Sequence, residues 1–208
     1  MGARTRTERV PGARAAVAVG GLLAGLLGAV GAGPAAADAA SLTQTYQCVF
    51  PLLEEEPLTV RISAEIPDEV EVGRSTGRLE ITSDATVGAD AAEGLRTVGA
   101  TTLEGVATAG VTIRTPGGEL PIRLDNAIGR TAVPEPAEDF GVRAEGWAPA
   151  LYFHEPGEVR IDVDSLLLTM TPRDAHGDRT SLDTFEAVCT LDPADQDRTL
   201  HTLRVTPR

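Results

Sequence analysis

The chain has 208 residues, a formal net charge of −13 and 42% hydrophobic residues. That length suits one domain, or two small ones sharing a core. All 18 basic residues are Arg, and the acidic excess argues against nucleic acid and anionic membranes, because both would repel it.

Arg4, Arg6, Arg9 and Arg14 precede an uncharged run from Ala15 to Gly33, and Ala35–Ala37 follow as a small-residue cleavage site. This is the layout of a secretory signal peptide over 1–37. A retained membrane helix is the other reading of such a run. The Gly and Ala content, Pro34 and the Ala-x-Ala site favour cleavage. Removing four Arg and one Glu takes the net charge from −13 to −16. The sequence lacks a twin-Arg pair, a lipid-anchor Cys and a C-terminal sorting motif, so a released, secreted domain over 38–208 is expected.

From Tyr46 onward apolar and polar residues alternate, the period of a strand with one buried face. "TVRISAEI" places Val60, Ile62, Ala64 and Ile66 on one face and Arg61, Ser63 and Glu65 on the other. "RLEITSDATV", "VATAGVTIRT", "FGVRAEG", "EVRIDVD" and "LLLTMTP" repeat the pattern between Pro/Gly/Asp turns. "ADAAEGLR", near 89–96, is the one helical candidate. Strands at this spacing predict an all-β chain, assigned here to an immunoglobulin-like β-sandwich. One Trp, two Tyr and four Phe make a lean aromatic complement.

"LTVRI" at 58–62 aligns with "LPIRL" at 120–124, and Leu79, Ile81, Ser83 and Ala85 then fall on Phe140, Val142, Ala144 and Gly146. This predicts related halves at 57–116 and 119–173, with the segments around Cys48 and Cys189 closing the structure. Chance alignment of alternating strands competes with that reading.

Taken together, "YQCVFPL", "LTVRISAEIP", "GLRTVGATTLEGVATAGVTIRTPGGELPI", "GVRAEGWAPALYF", "LLLTMTPRDAHG" and "FEAVCTLDP" resemble a family of secreted actinobacterial domains of unknown function, numbered 6801. The resemblance runs from Gln44 to about Val205. Met170 departs from its expected Leu, and the loops "EEE" and "DPADQD" are more acidic than the family's. It implies a secreted β-rich module and brings no activity, substrate or catalytic residue.

Several segments carry residue types that could support chemistry. "GRSTG" at 73–77 spells a nucleophile elbow around Ser75, but runs from strand into strand, whereas an elbow needs a helix after it. His154, His176 and His201 lack a supporting motif. Asp192, Asp195 and Asp197, and Asp174, Asp178 and Asp183, could offer oxygens to Ca²⁺, but neither loop follows the EF-hand pattern. Solvated turns are the preferred reading, and no metal or cofactor is expected. Trp147 and Tyr152 are the candidates for an aromatic ligand platform, competing with a core role. Cys48 and Cys189 are expected to form one disulfide, as an even pair in an exported chain, with buried free thiols as the alternative.

The expected function is a secreted, non-catalytic binding, structural or envelope-associated module. Its partner would be an unidentified extracellular protein or glycan, with no nucleic acid and no membrane after cleavage. An extracellular hydrolase or a carbohydrate-binding module is the alternative.

Overall fold

The computed structural model describes residues 37–208 except 52 and 54. The signal-peptide reading lies outside these residues, apart from its last position. Ten strands and one helix follow in the order β1 (Ala37–Val49), β2 (Glu55–Pro67), β3 (Glu69–Glu71), β4 (Leu79–Val87), α1 (Ala89–Thr97), β5 (Thr102–Thr115), β6 (Gly118–Ala132), β7 (Phe140–Ala148), β8 (Gly157–Arg173), β9 (Phe185–Leu191) and β10 (Thr199–Thr206). Among the described residues the all-β expectation and the single helix hold.

The immunoglobulin-like β-sandwich does not. Eight strands close into one antiparallel barrel, in the ring order β8-β5-β6-β7-β4-β2-β1-β9 and back to β8. A sandwich keeps two sheets with free edges; here β9 joins β1 on one side and β8 on the other, and no edge remains in the ring. The alternation of apolar and polar residues is identical in the two architectures, since it records only which side of a sheet is buried.

Closure depends on the 17-residue β8. Its last third pairs with β9, Leu166 facing Cys189 and Met170 facing Phe185. Its first third pairs along the same edge with β10, Val159 facing Leu203. The handover comes at a bulge. On the β5 side, Ser165 opposes Gly110 and Val163 opposes Val111, leaving Asp164 without an opposite residue. A bulge bends the strand and raises its twist, which lets one edge serve two partners. The Asp164 carboxylate accepts from Thr112 Oγ1 at 2.6 Å and lies 3.7 Å from Arg198. β10 also carries the three-residue β3 as a parallel outer strand.

The inward faces of the strands form the core. Leu58, Val60, Ile62, Ala64 and Ile66 of β2 are all buried, and Val142, Ala144 and Ala148 do the same on β7. The outward positions Arg61, Glu65, Glu80, Arg123, Arg143 and Glu145 are exposed. This barrel is therefore apolar inside and charged outside, the reverse of the lipid-facing pattern of a membrane barrel.

Apart from the three-residue β3, the strands of the two aligned halves are β2, β4 and β5 against β6, β7 and β8. Their pairing register does not follow the alignment. Ser83 opposes Ile62 and its counterpart Ala144 opposes Ile128, whereas the alignment sends Ile62 to Leu124.

Candidate functional site

Two cavities lie inside the barrel. The larger, of about 100 Å³, occupies the end covered by α1. The smaller, of about 50 Å³, lies at the end where Leu79 of β4 opposes Ala148 of β7. Ile62, Ser83, Ala109, Asn126 and Val163 line both, and so mark the waist between them. The space exists because small side chains meet there. Ala85, Ala107, Ala109 and Ala144 come from three strands, β4, β5 and β7, and face the larger cavity. An eight-stranded barrel is just wide enough for its side chains to fill, or to hold one small ligand where they are short.

The helix forms the roof. Ala92 and Leu95 are buried, and Ala91, Gly94 and Leu95 line the cavity. Its N-cap is Gly88, which offers no side-chain bond. The first N–H, of Ala89, is instead taken by Asp139 Oδ1 at 2.8 Å, from the β6–β7 connection. A carboxylate there also suits the positive end of the helix. At the other end Arg96 pairs with Glu135 of the same connection. Phe50, Pro51 and Leu53 from the β1–β2 turn, Leu182 before β9 and Phe185 at its start complete the rim.

Polar groups are few and each has a physical context. Gln44 is fully buried, donating from Nε2 to Val163 O at 3.1 Å and Asp197 O at 3.2 Å, and accepting from Tyr46 Oη at 2.7 Å. Tyr46, also buried, has its phenol pKa pushed up to about 12 by burial and by the nearby Asp164, with Arg198 opposing. Asp162 is 4% exposed on the outer side of β8. Burial alone would raise its pKa, but bonds from Arg114, Thr199 and Arg160 hold it below the usual value. Asn126, 3% exposed, donates from Nδ2 to Ala107 O and Leu124 O, both at 3.3 Å, while its Oδ1 has no partner among the described residues.

Cys48 and Cys189, 0% and 2% exposed, are joined as a disulfide with Cα atoms 4.0 Å apart. They face each other directly in the β1–β9 ladder, so the bridge lies at the seam that closes the ring. The Cα separation is shorter than the 4.4–6.8 Å usual for a disulfide.

Trp147 and Tyr152 are 48% and 59% exposed. Trp147 points outward from β7 with the Arg78 guanidinium 4.8 Å from its ring centre. Tyr152 lies in the segment after β7 and forms an isolated bridge with Ser75. Its neighbours turn inward: Phe153 is buried and Leu151 lines the smaller cavity. Ser75 Oγ accepts from Gly77 N at 3.0 Å, within an exposed turn. It stands between β3 and β4, so the strand-turn-helix setting of an elbow is missing.

Among the described residues no group of three or more His, Cys, Asp or Glu is placed to hold a metal ion. Asp174 Oδ1 is used by the N–H groups of His176 and Asp178, and Asp183 pairs with Arg179.

The profile of the group described as "Family of unknown function (DUF6801)" matches residues 45–201. The chain belongs to this family. No curated protein and no solved structure matches it. The match covers the end of β1 and the other seven barrel strands in full, along with the roof helix and both cysteines.

The sequence reading missed Asn126 and Ser83. A signal existed for the first: in "RLDNAIGR", Asn126 shares the inward parity of Leu124 and Ile128, and a polar residue at a core position demands a reason.

Proposed function

We propose that the protein is a secreted, non-catalytic binding module whose barrel interior takes a slender apolar ligand beneath α1. The observation that carries this is the cavity of about 100 Å³ inside a closed barrel, lined almost wholly by apolar side chains. An apolar cavity of roughly 150 Å³ stays dry and accepts a benzene-sized guest. This one, continued past the waist by about 50 Å³, suits a single alkyl chain or ring. Bulkier guests would require α1 to lift. Export is supported by the disulfide and by the signal-like first 37 residues.

The test is saturable binding of benzene, a guest of the size such a cavity admits, followed by isothermal titration calorimetry. One-to-one binding is expected. Ala85→Leu and Ala109→Leu fill the cavity and should abolish binding while leaving the protein folded. Absence of binding to the folded wild type would refute the reading. In the same preparation, a fluorophosphonate should fail to label Ser75; a labelled band lost in Ser75→Ala would restore the hydrolase.

A second reading rests on the exposure of Trp147 and Tyr152, which suits an outer contact with a glycan or an extracellular protein. Retention on a cell-wall glycan matrix that disappears in Trp147→Ala would support it.

A further inference from the structure

We infer that Asn126 is the specificity determinant of the interior, selecting a neutral apolar molecule that carries one hydroxyl or N–H donor at the depth of the barrel waist. This rests on the cavity reading above. The two carbonyls that receive Nδ2 decide which end of the amide is which, and Oδ1 is left as a free acceptor. A buried carbonyl oxygen without a partner is costly, so the empty protein carries an acceptor that a ligand donor can satisfy. Asn126 faces both cavities, and Ser83, the other small polar residue of the waist, faces them with it.

The surroundings set the charge of the ligand. No Arg or His lines either cavity among the described residues. A carboxylate would lose its hydration, find no cation and meet the negative end of the Asn126 amide. An alcohol or amide keeps a donor for Oδ1 and leaves its chain for the apolar wall.

Gly146 supports the arrangement. It opposes Asn126 across the β6–β7 ladder, and a Cβ there would overlap Asn126 Oδ1 and stand 2.8 Å from Asp125 O. The absent side chain leaves the amide room to lie across β7 at the waist.

The experiment titrates the protein calorimetrically with 1-octanol, its donor-free isomer 1-methoxyheptane, and octanoate. In the wild type, octanol should bind roughly five- to tenfold more tightly than the ether, the value of one hydrogen bond to an otherwise unpaired buried acceptor. Octanoate should bind more weakly than octanol. In Asn126→Leu, alcohol and ether should bind equally. The wild-type comparison stands without the variant, should Asn126→Leu fail to fold. Equal wild-type binding of alcohol and ether, or preferred binding of octanoate, would overturn the role of Asn126 while leaving the cavity reading intact. Failure of benzene and of all three chains to bind would remove both.

Discussion

Gly146 and Asn126 are matched: the absence of one side chain is what gives the other its place. Gly146→Ala puts a methyl group into Asn126 Oδ1 and close to the Asp125 carbonyl, so it should destabilise the fold by about 1–3 kcal/mol. Adding Asn126→Ala should return part of that loss. A denaturant double-mutant cycle checks the coupling, and additive effects would show that the two residues do not compete for the same space. Tyr46 makes a second point about buried polar groups. Its phenol is raised from 10.0 to about 12, so its contribution to stability is fully present below pH 10 and is lost as the pH rises towards 12. Two pKa units correspond to about 3 kcal/mol at most. Tyr46→Phe should flatten that part of the stability–pH curve, measured by urea unfolding between pH 9 and 12, and an unchanged slope would argue against the phenol as its source.

The nine-residue α1 is too short to hold itself, and its own sequence lacks a capping side chain. Its order comes from Leu95 and Ala92 beneath it and from Asp139 and Glu135 beside it. Asp139→Ala should weaken its docking by about 1 kcal/mol, the usual worth of a helix cap. Hydrogen exchange should then quicken about fivefold at the α1 amides, while amides in the centre of β5 and β8 keep their rates. Equal acceleration in both would mean that the roof opens only when the barrel unfolds. Such opening is also the expected route into a cavity whose rim is otherwise closed by Phe50, Leu182 and Phe185.

The barrel as a body is held shut at one seam. β9 is only seven residues long, and its ladder with β1 runs from Tyr46–Leu191 to Cys48–Cys189. The disulfide covers a sequence separation of 141, so it removes much freedom from the unfolded chain, by up to about 5 kcal/mol on the chain-entropy view. Cys48→Ser with Cys189→Ser should lower the urea midpoint accordingly and loosen β9 first. The oxidised protein should be two hydrogens lighter than its reduced form by mass spectrometry. Two thiols titrating in the denatured, unreduced protein would contradict the bridge.

Much of this was legible in the chain itself. Each strand's inward set was readable, as with Val60, Ile62, Ala64 and Ile66, because side-chain alternation is a local consequence of strand geometry. The short helix near 89–96 and the cysteine pair were readable for similarly direct reasons. Asn126 could have been found by the same parity. Closure was not legible: a barrel and a sandwich impose the same alternation, and what separates them is a pairing between residues more than a hundred apart, made available by a one-residue bulge at Asp164. Nor was the cavity. Ala85, Ala107, Ala109 and Ala144 are ordinary on their own strands, and leave space only because three strands bring them to the same cavity.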